Sequence, residues 1–450
     1  MYKFISLFGI FVQVGICYLL SSNRKKIDWR LVGVGLGLQF LFALLILKTT
    51  LGREFFVYMN DVVVQLLGFT QEGASLVFGN LTQINIPVGT PQEGPPPGFA
   101  DLDTSSGFWA QPGAIFAFSV MPTVIFFSSL MTLLYHLGIM QRIVYLFAIV
   151  MKKALGTSGA ESLSAAANIF VGQTEAPLVI KPYVEKMTES ELMAIMSGGM
   201  ATIAGGVMAA YVGILAAKFP DIAGHLMAAS VMSAPASLVF AKLLVPEIGT
   251  PETSEKMEMH FEKVDKNVID AAARGASEGL KLALNIVAML IAFLALVAMG
   301  NAIWGWVCSV VASLTGWNLS AIDTFQEVMG YVFSPFALMM GIPVQDLLVS
   351  GQLLGEKTIL NEFVAYTHFG DIINGRPFAG ELAQLTERSR VILAYALCGF
   401  ANLGSIGILL GGIGGIAPSR RGDLARLGIR ALIAATFASF VTANIAGMLI

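Results

Sequence analysis

The chain has 450 residues, of which 56% are hydrophobic and only 13% charged, with a mean hydropathy of +0.74. That composition excludes an ordinary soluble globular protein and points to a polytopic helical membrane protein. A net charge of -3 gives no reason to expect nucleic acid, and three scattered cysteines (Cys17, Cys308, Cys398) suggest neither a disulfide framework nor a metal centre.

Residues 4–20 are apolar, and only Lys3 precedes them, so they read as a first transmembrane helix rather than a signal peptide. After Arg24-Lys25-Lys26 a second apolar span covers 31–51, with Gly33 and Gly37 set out as a small-xxx-small packing face. Residues 53–83 are less apolar and predict short or interfacial helices. The segment 84–106, with Pro87, Pro91, Pro95-Pro96-Pro97, Asp101 and Asp103, predicts an exposed loop. A third span follows at 108–135. The mixed stretch 137–156, with Arg142, Lys152 and Lys153, suits a helix lying in the interface.

Next comes Asn168-Ile169-Phe170-Val171-Gly172-Gln173-Thr174-Glu175-Ala176-Pro177, an amide, a hydroxyl and a carboxylate side by side inside an apolar run. A carboxylate at membrane depth is costly unless it is paired or faces a cavity. The flanking Gly and Pro break a helix there, and non-helical backbone survives at that depth only inside protein or along a cavity. Residues 159–186 therefore predict a re-entrant hairpin. The next helix, 190–216, is interrupted at Thr202-Ile203-Ala204-Gly205-Gly206, and a whole span covers 223–245. A charged linker at 246–275 precedes a long span at 277–305 and shorter helices to about 342.

The order then repeats. A second hairpin at 343–369 centres on Asn361-Glu362-Phe363, the span 388–416 is interrupted at Asn402-Leu403-Gly404-Ser405, and 427–448 is whole. Paired, interrupted apolar segments in corresponding places signal internal repeats around a transporter site. Loops 22–30, 137–153, 181–186, 242–281 and 418–430 hold 19 of the 27 Lys and Arg residues. Placing them in the cytoplasm puts both termini outside and makes the hairpins enter from opposite sides, as inverted repeats require.

Gly172-Gln173-Thr174-Glu175-Ala176-Pro177, Asn361-Glu362-Phe363 and Phe400-Ala401-Asn402-Leu403-Gly404-Ser405 together resemble the concentrative nucleoside transporters, over nearly the whole chain. The resemblance implies an all-α fold of eight transmembrane helices, two re-entrant hairpins and interfacial helices, working as a sodium-coupled nucleoside symporter in the bacterial inner membrane. It implies that Gln173, Thr174 and Glu175 meet the nucleobase, partly through water, that Glu362, Asn402 and Ser405 hold the ribose, and that Phe400 lies against the base. A sodium ion would be held by Asn168, the Val171 carbonyl, Thr202 and the Ile203 carbonyl. Family members are trimers in which a transport domain moves past a scaffold. By that analogy 1–136 and 246–315 (the linker and sixth span) are scaffold, and 137–245 and 316–450 are the two halves of the transport domain.

The residues suit that chemistry without the name. An amide offers a base edge both a donor and an acceptor, and a carboxylate accepts from sugar hydroxyls. No Arg or Lys lies in the two central motifs to neutralise a phosphate, and Lys357 comes closest, near a hairpin leg. Taken singly, Glu175 also reads as a helix cap, Glu362 with Asn361 as a structural pair, Asn402 and Ser405 as kink partners, Thr202 as bonded to its own helix and Phe400 as core. A dicarboxylate carrier would need a basic residue at the site. A membrane enzyme would need a nucleophile with its base. Gly351-Gln352-Leu353-Leu354-Gly355-Glu356-Lys357-Thr358 is not a phosphate-binding loop, because the spacing is short by one and Glu356 intervenes. The alternatives are an ion-coupled carrier of another small polar solute and a proton-coupled nucleoside transporter.

Overall fold

The computed structural model describes residues 1–82, 86–87, 109–110, 116–254, 265–318, 322–378 and 382–450. Most of the expected loop at 84–106 lies outside these residues. Ile86 and Pro87 pair antiparallel with Trp109 and Ala110, and the remaining regular structure among the described residues is helical.

The chain opens with α1 (Tyr2–Leu20) and α2 (Trp29–Lys48), where the Asp28 carboxylate caps α2 by accepting from the Arg30 and Leu31 amides. Helix α3 (Thr50–Phe78) is one helix of 29 residues, where the sequence predicts short pieces. Its polar residues lower the hydropathy, but no proline interrupts the hydrogen-bond ladder, so it runs until Gly79 at φ +57°. The packing glycine of α2 is Gly35, not Gly33 or Gly37. A Cβ on Gly35 would lie 2.2 Å from Val239, whereas nothing stands within 4 Å of one on the other two.

Helix α4 (Met121–His136) ends at Gly138, which has φ +77°, and α5 (Ile139–Leu155) leaves it at a bend of 79°. The first hairpin then comprises α6 (Gly159–Ala167), a tip at 168–175, a 3-10 turn Ala176–Ile180 and the single turn α7 (Lys181–Val184). Helices α8 (Glu189–Ala201) and α9 (Gly205–Leu215) flank a break, and α10 (Ile222–Leu244) is whole. Helix α11 (Val268–Thr315) spans 48 residues and is followed by α12 (Phe325–Met339). The second hairpin is α13 (Leu347–Ile359) and α14 (Glu362–Ile373); α15 (Glu387–Ala396) and α16 (Leu403–Ile416) flank a second break, and α17 (Arg421–Leu449) is whole. Hairpin, broken helix, whole helix thus occurs twice.

By length and hydropathy, six stretches among the described residues are fit to cross a membrane: α1, α2, α8–α9, α10, α11 and Pro418–Leu449. The bent pair α4–α5 makes a seventh if it counts as one span. The eighth expected span corresponds to α15–α16, two helices of 10 and 14 residues on either side of a break.

Helices α10 and α17 form the centre. The most apolar stretch of α10 is 89% buried and that of α11 only 6%. Phe240 meets Phe437 at 6.1 Å between ring centroids, and the Ser233 and Thr442 hydroxyls share a 3.4 Å hydrogen bond across the pair. Helices α1 and α2 pack on α10 and α17, while α4 packs on α11 and α9.

The base of the first hairpin is tied down by charge. Ser158 and Thr188 each begin a capping box, at α6 and α8, closed by Glu161 and Glu191. The two boxes interlock, with the Ser158 hydroxyl donating to Glu191 Oε1 at 2.6 Å and Lys242 Nζ of α10 lying 2.8 Å from Glu161 Oε2. Short α6 thereby starts from a fixed point and carries its tip to a defined depth.

Candidate functional site

The two helix breaks cross each other. Gly399 has φ +110°, a region that favours glycine, and a Cβ there would stand 2.6 Å from the Ala201 carbonyl oxygen. Beside it the Phe400 amide donates to the Thr202 carbonyl at 3.3 Å. The first tip docks on this crossing through two of its carbonyls. Phe170 O accepts from the Gly205 amide at 3.1 Å, and Ile169 O accepts from the Ser230 hydroxyl at 3.0 Å.

Two glycines let the tip in. A Cβ on Gly199 of α8 would lie 2.9 Å from Gln173 Cβ, and one on Gly412 of α16 would lie 3.0 Å from Thr174 Cγ2. Small residues allow this close approach of backbone in a membrane protein. Sequence distance is bridged as a result, since Gln173 and Ser405 are 232 residues apart.

A row of side chains follows from that docking. Gln173 Nε2 donates to Ser405 Oγ at 3.2 Å, and the Ser405 amide donates to Asn402 Oδ1 at 2.8 Å as the cap of α16. Asn402 Nδ2 donates to Glu362 Oε2 at 2.8 Å, and the Tyr211 hydroxyl donates to Glu362 Oε1 at 3.0 Å. All five residues are buried. They come from the first hairpin, α16, the second hairpin and α9, so both repeats contribute. Asn361, directly before Glu362, caps α14 by accepting from the Val364 amide at 2.9 Å.

The row presents complementary chemistry. Gln173 keeps its Oε1 buried with no hydrogen-bond partner, an acceptor available to a donor on a ligand edge. Glu362 has about four lone-pair sites and uses two, so its carboxylate can accept from further hydroxyls. Phe400 is half-buried at the crossing and Thr174 half-buried against Gly412. Glu175 stands outside the row: it is exposed, and its carboxylate folds back over Gly172, where a Cβ would come within 2.3 Å of Oε2.

The residues expected to hold a cation lie at the same crossing. Asn168 is fully buried, its Nδ2 donates to Ser164 O at 3.0 Å, and its Oδ1 has no hydrogen-bond partner. It faces α8, where a Cβ on Gly198 would lie 3.6 Å from Asn168 Nδ2. One turn on, the Thr202 hydroxyl donates to Gly198 O at 3.0 Å, which leaves its lone pairs as acceptors. Ile203 is buried, and Val171 half-buried on the tip. Among the described residues no group of three His, Cys, Asp or Glu could hold a metal. Neutral oxygens of this kind suit a hard monovalent cation better than a transition metal.

One member of the site escapes a reading of motifs, and Lys357, read from the sequence only as the nearest basic residue, takes a place of its own. Tyr211 stacks on Tyr366 at 4.2 Å between centroids and reaches Glu362 from α9. Its signal was a lone phenol in the otherwise apolar Gly205–Leu215 half-helix. Lys357 is fully buried and donates to the carbonyls of Ala396 at 2.7 Å and Cys398 at 3.3 Å.

Three sequence profiles match: "Na+ dependent nucleoside transporter N-terminus" over residues 8–81, "Nucleoside recognition" over 117–218 and "Na+ dependent nucleoside transporter C-terminus" over 225–447. The chain is 43% identical over 447 residues to an uncharacterized transporter of Haemophilus influenzae, covering 99% of this chain and 97% of that one. It is 42% identical to solute carrier family 28 member 3 of Rattus norvegicus, covering 99% of itself but only 59% of that longer protein. Among solved structures, CNTnw in an inward-facing substrate-bound state superposes with a TM-score of 0.83 at 39% identity, covering 100% of this chain and 98% of that one. With helices apolar enough to cross a membrane several times, and relatives that are transporters rather than enzymes, the chain belongs to the concentrative nucleoside transporter family.

Proposed function

We propose that the protein is a secondary active symporter that imports nucleosides such as uridine, cytidine and adenosine on a sodium gradient. The observation that carries this reading is the row Gln173–Ser405–Asn402–Glu362–Tyr211, which joins both hairpins through both broken helices. A nucleoside is neutral, flat at one end and rich in hydroxyls at the other. Gln173 with Thr174 takes the base edge, Phe400 covers the ring, and Glu362, Asn402 and Ser405 take the ribose. Glu175 reaches the base through water, its carboxylate lying over Gly172 beside Gln173 and Thr174.

Sodium binds at Asn168, Thr202 and the carbonyls of Val171 and Ile203, between the first tip and the break it docks on. Coupling follows from that shared position. An ion that draws Asn168 and Thr202 together orders the tip that carries Gln173, so ion and nucleoside favour each other's binding. The two hairpins are re-entrant from opposite sides of a bacterial inner membrane, with the termini outward.

The protein works as a homotrimer by an elevator motion. The two repeats, 137–245 and 316–450, form the moving body, which slides against a scaffold of 1–136 and 246–315. The test is uptake of radiolabelled uridine and adenosine into proteoliposomes, with an inward sodium gradient or with choline in its place. Sodium-dependent accumulation is expected. Accumulation driven by a proton gradient alone would keep the substrate and remove the ion, and no uptake by folded protein would move the substrate to another small polar solute.

A further inference from the structure

We propose that Lys357 is a positioning residue for the sugar-binding groups, holding the second broken helix against the second hairpin; this rests on the nucleoside reading above. The position is unusual for a lysine. Lys357 sits in the last turn of α13, three residues before the hairpin break at Leu360-Asn361, and is fully buried. A buried ammonium persists only where its donors and its charge are both met.

Its donors are met by the end of α15. Lys357 Nζ donates to Ala396 O at 2.7 Å, a carbonyl that the end of α15 leaves without an intrahelical partner, and to Cys398 O at 3.3 Å in the break beyond it. A cation also complements the negative end of the α15 dipole. Two neighbours complete the socket, the Tyr366 hydroxyl donating to Ala394 O at 2.8 Å and the Ser439 hydroxyl to Cys398 O at 3.0 Å.

Glu362 follows on the same hairpin, five residues on, at the start of α14. The second hairpin therefore grips the broken helix on both sides of its gap. Lys357 and Tyr366 hold the end of α15, and Glu362 holds Asn402 at the start of α16. Between these points lie Gly399, at φ +110°, and Phe400, whose amide donates to the Thr202 carbonyl at 3.3 Å. Release of the Lys357 end would let residues 397–402 relax, and Asn402 and Ser405 would lose their register with Glu362. Base recognition through Gln173 and Thr174, on the other hairpin, would be less disturbed.

The test compares uridine with 2′,3′-dideoxyuridine, which lacks both secondary hydroxyls of the sugar, in proteoliposomes containing wild type, Lys357→Met or Lys357→Gln. The Gln variant keeps a donor for the carbonyls and should fold where Met does not. In wild type, uridine is expected to be strongly preferred. In either variant the KM for uridine should rise roughly tenfold with a maximal rate within about twofold, and the preference over the dideoxy compound should collapse. Unchanged KM values, or equal rises for both compounds, would overturn the positioning role. So would failure of both variants to accumulate folded protein, which would assign Lys357 to the fold alone. Absence of uridine uptake by wild type would instead remove the nucleoside reading itself.

Discussion

The two hairpins share an outline and differ in how their polar groups are paired. At the first tip, Asn168 Oδ1 and Gln173 Oε1 are buried acceptors without partners, and Glu175 is exposed. At the second, both Glu362 oxygens are engaged, Asn361 caps α14 and Lys357 is satisfied by two carbonyls. Leaving a buried acceptor unpaired costs about 1–3 kcal/mol. A ligand that met these acceptors would relieve that cost, whereas the polar groups of the second tip are already held in place. The first tip is suited to respond to ligands and the second to orient them.

The sharpest way to break this contrast is at Glu362. Glu362→Gln replaces one acceptor oxygen by a donor and leaves either Tyr211 or Asn402 facing another N–H. Hydrogen bonds to a charged group contribute about 1.5–3 kcal/mol each, so loss at two hydroxyls predicts a fall of at least about 100-fold in uridine uptake efficiency. Near-normal uptake by folded variant would detach Glu362 from the sugar. Asn168→Ala attacks the other side. It should lower the apparent affinity for sodium by about tenfold, one ligating oxygen's worth, while the KM for uridine at saturating sodium changes little. An unchanged sodium titration would place the ion elsewhere.

Two substitutions sharpen the contrast within the first tip. Gly199→Ala would set a Cβ 2.9 Å from Gln173 Cβ. Overpacking of that order costs about 1–3 kcal/mol, and uptake of uridine and adenosine should fall together, by about tenfold. Equal uptake would mean that the tip tolerates displacement. Gln173→Ala removes a neutral hydrogen bond to Ser405 worth about 0.5–1.5 kcal/mol. It should change the ratio of uridine to adenosine uptake by a few fold and leave the sodium dependence intact.

How much of this was legible in the sequence follows from which interactions are local. The break at 202–204 and the tips around Gln173 and Glu362 show as polar groups and glycines in apolar runs, whereas the second break, expected at 402–405, lies at 397–402, with Leu403 already in the first turn of α16. The family motifs then gave the residues of the row except Tyr211. Tyr211 joins only because α9 is brought to α14, and Lys357 acquires its role only because α15 ends beside it. Hydropathy also understated two helices. Helix α3 continues through polar residues, and α11 extends beyond the apolar core of 277–305, its early turns carrying the exposed pair of Arg274 with Glu278. Helical hydrogen bonding does not require apolar side chains, only the absence of a breaker.

The smallest effect is expected at Thr202, and it separates the ion site from the helix break itself. The Thr202 hydroxyl already donates to Gly198 O at 3.0 Å, a bond within its own helix that contributes little to holding the crossing together. The crossing depends instead on the Thr202 carbonyl, which accepts from Phe400 and is independent of the side chain. Thr202→Val keeps the β-branched shape and that carbonyl but removes the hydroxyl oxygen. If Thr202 donates only to its helix, the sodium titration of uptake should be that of wild type. If its lone pairs face the ion, half-saturation should move to about twofold higher sodium, with Asn168→Ala giving the larger shift because Asn168 has an acceptor with no other partner. The second outcome is expected, and the order of the two shifts is the more demanding measurement. A larger shift for Thr202→Val than for Asn168→Ala would put the ion closer to the break than to the tip, and would take from the first hairpin the responsiveness that distinguishes it from the second.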